Sequence, residues 1–205
     1  MPAAPEIRAG HFYHIYNRGV NRQAIFFGER NYRFFIERLR HYFVPELVDI
    51  AAYCLMPTHY HLLVQSHTDN LGGEVMQPFV TSYTKAVNKE QGRVGPLFQG
   101  KYKANLVDTD GYLRNVTRYI HRNPVDAGYV ERLTEWPYSS YLDYIGLRNG
   151  TLSSSYLILR SYASPDAYQE SVEGGGYEPE ESFRRWLLQH EIEEVRLFPK
   201  SRTSA

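Results

Sequence analysis

Residues 48–65 restrict the fold more than any other stretch of this chain. Two mainly apolar runs, 48–55 and 59–65, are separated only by Met56-Pro57-Thr58. That connection is far too short for a crossover, so two extended runs joined by it form an antiparallel hairpin. The second run opens with His59-Tyr60-His61. Side chains two apart on a strand share a face, so His59 and His61 point one way and Tyr60 and Leu62 the other. Two imidazoles on one face make half of a metal site. The same spacing also describes two polar residues on the wet side of a strand, so the pair needs support from elsewhere in the chain.

The hydrophobic periodicity around the hairpin supplies the architecture. His11–Tyr16 is rich in β-formers and ends at the turn signal Asn17-Arg18-Gly19, which predicts a first strand. From Glu29 to Phe43, apolar residues fall at Tyr32, Phe35, Ile36, Leu39, Tyr42 and Phe43, the spacing of an amphipathic helix, stopped by Pro45. Arg30, Arg33, Arg38 and Arg40 occupy its other, solvated face. A second helix is expected over 71–91, striped by Met76, Val80, Tyr83 and Val87, with Pro78 in its early turns. Gly92–Pro96 breaks that pattern, and Leu97–Val107 then reads as a strand with Lys101 and Lys103 on one face. The order β-α-β-β-α-β is that of an α+β, ferredoxin-like antiparallel sheet with two helices on one face.

Beyond this unit, Asp108-Thr109-Asp110 can cap a third helix with Leu113, Val116 and Ile120 on its core face. Pro124 disfavours helical angles at the residue before it, so this helix is expected to end near Asn123. Pro124 then opens a short helix through Val130, and Trp136–Tyr141 reads as an aromatic segment packed back on the domain. The division expected is a domain over 1–150 and a C-terminal helical extension over 151–205. In the extension, Ser164-Pro165-Asp166 starts a helix and Gly174–Gly176 stops it. A last amphipathic helix would carry Phe183, Trp186, Leu187 and Val195, and Lys200–Ala205 would be a disordered tail.

Composition narrows the function classes. No apolar run reaches the roughly 18 residues of a membrane helix, and Met1–Glu6 has no apolar core of a signal peptide. Cys54 is the only cysteine, which excludes an internal disulfide and fits a cytoplasmic location. Net charge is zero, but residues 1–150 hold 17 Lys and Arg against 14 Asp and Glu, a net +3, while 151–205 hold 6 against 9, a net −3. The acidic segment is therefore expected near the basic domain, either modulating access to nucleic acid or simply packing at the periphery.

Tyr119 and Asn123 are four apart on the third helix and share a face. Tyr112 lies on the same stripe but ~16 Å from Asn123 at ~1.5 Å per residue, so Tyr119 is the better nucleophile. His-x-His on a central strand with Tyr-x-x-x-Asn on a later helix resembles the REP-associated tyrosine transposases, IS200-like members of the HUH single-strand nuclease and transposase group. Further matching segments are Tyr13–Gly19, Tyr53–Leu62, Gly95–Lys101, Arg118–Val125 with Ala127-Gly128, and Trp136–Ser140. They occur together and in order over roughly residues 10–145. Thr58, where the family usually has Asn or Asp, and Tyr60, where it has an aliphatic residue, depart from the pattern without removing a ligand.

The resemblance implies a divalent ion, Mg²⁺ or Mn²⁺, held by His59, His61 and Asn123, with Tyr119 as nucleophile on single-stranded hairpin DNA. His121 is a candidate general base. It implies phosphate contacts from Lys and Arg, for which the candidates are Arg18, Arg22, Lys101, Lys103, Arg118 and Arg122. Nothing in the sequence asks for a protein partner or a membrane, and a monomer is expected. The alternative is a noncatalytic nucleic-acid-binding module of the RNA-recognition type, built on the same sheet. A phosphohydrolase would want Asp or Glu ligands, and none is close in sequence to the histidine pair.

Overall fold

The computed structural model describes residues 6–174 together with Glu181, Phe183 and Arg184. Strands β1 (Phe12–Arg18), β2 (Val48–Met56), β3 (His59–Ser66) and β4 (Lys103–Val107) form one antiparallel sheet in the order β2-β3-β1-β4. Helix α1 (Glu29–Tyr42) precedes the β2–β3 hairpin and α2 (Gln77–Glu90) follows it, entered through a π-helical turn at Gly72–Met76. This is the expected ferredoxin-like order.

Strand periodicity sorts the core into two layers. Tyr13, Ile15, Tyr53, Leu55, Tyr60, Leu62 and Val64 pack with Phe35, Leu39, Phe79 and Tyr83 of α1 and α2. Ala51, Ala52, Cys54, Met56 and Leu63 face the opposite way, toward α3 (Asp110–Asp126), whose Tyr112, Val116 and Ile120 close on them. A bulge between Ile50 and Ala52 puts two consecutive alanines into that layer. Small side chains there let α3 approach β2 and β3 closely. Both faces of the sheet are thus covered, unlike the open face that an RNA-recognition module uses.

The outer edge of β2 is also closed. Leu55 N donates to Tyr138 O and Ser140 N to Tyr53 O, Trp136 Nε1 donates to Leu55 O, and Tyr138 stacks on Tyr32 at 3.8 Å. The aromatic segment therefore packs back as expected and protects an edge strand. Short helices α4 (Tyr141–Tyr144), α5 (Tyr156–Leu159) and α6 (Pro165–Glu173) complete the layer over α3. Ser164 caps α6 by accepting from Ala167 N. Trp186, Leu187, Val195 and the tail 200–205 lie outside the described residues; Phe183 is described and buried among the α3-side residues.

Two expectations are corrected. The last strand of the sheet begins at Lys103 rather than Leu97. Gly100 takes a left-handed φ of 78°, which turns the chain; Phe98 keeps only an isolated bridge to Gly19. Lys101 and Lys103 therefore do not share a strand face. Helix α3 runs through Pro124 to Asp126 instead of stopping near Asn123. Proline removes one amide, but Ala127 N still reaches Asn123 O and Tyr129 N reaches Pro124 O, and Asn123 and Pro124 are both buried. Just past the helix end, Gly128 takes a left-handed φ of 73° that turns the chain away.

Candidate active site

Register builds the site in cross-strand rows on the α3 face. Cys54, His61, Tyr16 and Lys103 form one row, and Leu63, His14 and Asn105 lie beside it. His59 pairs with Met56 and Arg18 at the end of the sheet. The Lys103 ammonium stands 5.9 Å from the Tyr16 ring centroid.

Helix α3 lays Tyr119 and Asn123 over these rows. The Tyr119 ring meets His61 edge-on, 5.4 Å between centroids at 82°, and lies 6.1 Å from His14 and 5.8 Å from Phe183. Asn123 Oδ1 is 3.2 Å from His59 Nε2. Both histidines have Nδ1 engaged: His59 with Thr58 Oγ1 at 3.0 Å and His61 with His14 Nε2 at 3.0 Å. Ligating histidines are commonly held in this way, with one ring nitrogen fixed and the other left for the ion. Burial, then the neighbouring His59 and His14, hold the His61 imidazole well below its usual pKa and so neutral.

The chemistry of these donors, and the spacing of two of them, suit a divalent ion. Two donors in neighbouring positions at about 2.1 Å from one ion are about 3 Å apart, close to the spacing of His59 Nε2 and Asn123 Oδ1. Among the described residues no cluster of three His, Cys, Asp or Glu could hold a metal. The candidate donors are two imidazoles and an amide.

The predicted basic residues separate into two groups. Gly19 N donates to Thr58 O, Ile25 and Phe26 N to Pro57 O, and Val20 N to Leu97 O, so the turn 19–23 and the loop 97–101 are tied to the His59 end of the hairpin. Arg22 and Lys101 stand on these segments and Arg18 at the adjoining end of β1, where its Nε donates to Gln99 Oε1 at 2.7 Å. Asn21 and Arg22 are left-handed, with φ 51° and 60°, unusual for residues other than glycine. Arg118 and Arg122 lie elsewhere. Arg118 donates to Ser171 O and Gly174 O, and Arg122 to Val172 O and Asp126, so both guanidiniums hold the C-terminal carbonyls of α6.

His121 projects from the far side of α3. Its Nδ1 bonds Tyr168 OH at 2.5 Å and its Nε2 bonds Ser140 Oγ at 2.7 Å, inside a cage of Tyr141, Tyr144 and Tyr168. Burial lowers its pKa to about 3. It is a core residue, which removes it as the base for Tyr119. Tyr112 is buried against Phe183, and burial raises its hydroxyl to about 12. Sequence reasoning passed over His14. The signal was available: His14 and Tyr16 are two apart on a strand, as are His59 and His61, but only the register of β1 on β3 brings the two pairs together.

Comparison with known proteins identifies the family. The profile of the family "Transposase IS200 like" matches residues 8–123. A Haemophilus influenzae protein named as a REP-associated tyrosine transposase is 32% identical over 104 residues, 45% of this chain and 58% of the relative, so the match spans little more than half of that protein. The fold is similar to that of a REP-associated tyrosine transposase solved bound to a REP hairpin, with a TM-score of 0.55 and 18% identity over 71% of this chain and 85% of the other. With the profile covering more than half of its length, the chain belongs to the IS200-like transposase family.

Proposed function

We propose that this protein cleaves and rejoins single-stranded hairpin DNA of the REP type through a 5′-phosphotyrosine at Tyr119. The observation that carries the reading is the placement of Tyr119 on the same helix face as Asn123, edge-on to His61, with Asn123 at His59. Nucleophile and ligands converge from two elements that the chain separates by more than fifty residues. A relative of this fold was solved on a REP hairpin, which supports the substrate class.

His59 and His61 through Nε2, and Asn123 through Oδ1, would hold Mn²⁺ or Mg²⁺. Once bound, the ion would supply Lewis-acid polarisation of the scissile phosphate. Two nitrogens among three neutral ligands favour Mn²⁺ over Mg²⁺, which prefers oxygen. The Tyr119 oxygen attacks phosphorus and loses its proton; the bond to the 3′ oxygen breaks, and that oxygen leaves as a 3′-hydroxyl after taking up a proton. One phosphodiester replaces another, so a 3′-hydroxyl can reverse the step without ATP. A free tyrosine has a pKa of about 10, so the Tyr119 hydroxyl needs activation before it attacks. Arg18, Arg22 and Lys101, beside the His59 end, are the groups we assign to phosphates of the hairpin.

Labelled hairpin DNA incubated with the protein and Mn²⁺, then run on a denaturing gel, tests the reading. A covalent protein–DNA adduct that disappears with chelator and in Tyr119→Phe is expected. Cleavage at full rate in excess chelator would overturn the metal assignment.

A further inference from the structure

We infer that His14 and Thr58 are positioning residues of this site, each holding one metal-binding histidine through its Nδ1: His14 sets the tautomer of His61, and Thr58 orients His59 in either tautomer. The inference rests on the metal reading above and extends it to two residues that do not themselves touch the ion.

A neutral imidazole carries one N–H and one lone pair. For His61 to present a lone pair at Nε2, its proton must sit on Nδ1, and a buried Nδ1–H needs an acceptor. His14 Nε2 stands 3.0 Å from that atom, and both rings are closed from solvent, at 0% and 1% exposure. Water therefore cannot substitute for His14. The two rings also lie nearly parallel, 28° apart at 5.2 Å, so His14 fixes the plane of His61 as well as its proton. His14 is held in turn by its strand, paired with Leu63 on one side and Asn105 on the other.

Thr58 orients His59 by different chemistry. Its Oγ1 is 3.0 Å from His59 Nδ1. A hydroxyl both donates and accepts. Without an ion, His59 can donate from Nε2 to Asn123 Oδ1 while the Thr58 hydroxyl donates to Nδ1. With an ion at Nε2, the proton moves to Nδ1 and Thr58 accepts. Thr58 thus serves both states of His59 without moving. The backbone supports this role, since Thr58 O accepts from Gly19 N and so pins the residue to the neighbouring turn.

The test is Mn²⁺ binding to the full-length protein without DNA, followed by the electron paramagnetic resonance of the unbound ion. Outer partners of this kind are worth about 10–100-fold in metal affinity. His14→Phe, which keeps a ring but removes the acceptor, and Thr58→Val, which keeps the shape but removes the hydroxyl, should each weaken binding by about that factor. His14→Gln, whose amide oxygen reaches the position of Nε2, and Thr58→Ser should bind close to wild type. Melting in chelator separates folding from metal binding, and Thr58→Val, at a partly exposed turn, keeps the test available where His14→Phe fails to fold. Unchanged affinity in His14→Phe and Thr58→Val overturns the inference. So does equal weakening in the Gln and Phe variants, which marks His14 as packing only. A wild-type protein that binds no Mn²⁺ removes the metal reading itself, a result distinct from either.

Discussion

At the scale of single residues, the proposed site separates a group that would react from groups that would hold it. Tyr119→Phe deletes one oxygen from a half-buried ring, so fold and hairpin binding should persist while the adduct is lost; Tyr112→Phe should keep the adduct. An adduct that survives in Tyr119→Phe would assign the chemistry to another tyrosine. Asn123 carries a sharper prediction, because it lies inside α3 and not at its end. Asn123→Ala removes no cap and gains helix propensity, which offsets the lost contact with His59, so stability should change by less than about 1 kcal/mol. Its Mn²⁺ midpoint for cleavage should rise. Asn123→Asp adds a charged oxygen ligand and should lower that midpoint. Equal midpoints in wild type and both variants, read from cleavage against Mn²⁺ concentration, would take Asn123 out of the ligand set.

At the scale of elements, α3 is the beam on which the site depends. One face carries Tyr119 and Asn123 to the sheet, and the other binds the rest of the chain: Arg118 and Arg122 hold the end of α6, and His121 is locked between Tyr168 and Ser140. Basic residues beside the tyrosine proposed as nucleophile look like phosphate contacts in a sequence, yet here they donate to the carbonyls of α6. Arg118→Ala should therefore lower stability by about 1–2 kcal/mol, the scale of charged hydrogen bonds at a partly exposed site. It should leave the salt dependence of hairpin binding alone. Arg22→Ala, on the exposed turn, should do the reverse: no loss in chemical denaturation, and a slope of log affinity against log salt shallower by about 0.7. Measuring both quantities on both variants distinguishes a brace from a DNA contact. Pro124 belongs at this scale too, because its single missing amide bond is outweighed by burial and by the bonds that follow it.

At the scale of the whole molecule, residues before and after 150 share one buried layer, with Tyr168 and Val172 of α6 beside Val116 and Ile120 of α3. The acid sensitivity of the fold follows from that layer. His121 is held neutral, with a pKa of about 3 against an ordinary 6.5, so the unfolded chain takes up a proton that the folded chain refuses. Its contribution is complete above pH 6.5 and is lost as pH falls from there toward 3. Between pH 7 and 5 the loss should be about 2 kcal/mol from this residue, read by urea unfolding at the two pH values. His121→Phe should flatten that part of the profile. Much of the molecule was legible from sequence because it depends on local periodicity. Period two placed His59 and His61 on one strand face, and period 3.6 placed Tyr119 and Asn123 on one helix face. The short hairpin connection and the alternation of strands and helices then gave the sheet order. What the chain could not declare depends on which surfaces meet. Only packing put α3 on the sheet face opposite α1 and α2, over the rows that contain His59 and His61. The pairing of β1 with β3 brought His14 to His61 across forty-seven positions, and α6 offered its carbonyls to Arg118 and Arg122 and helped to bury His121. Periodicity tells which way a side chain points from its own backbone; what it points at is decided by burial of the remaining apolar surface, a property of the whole chain and not of any window within it.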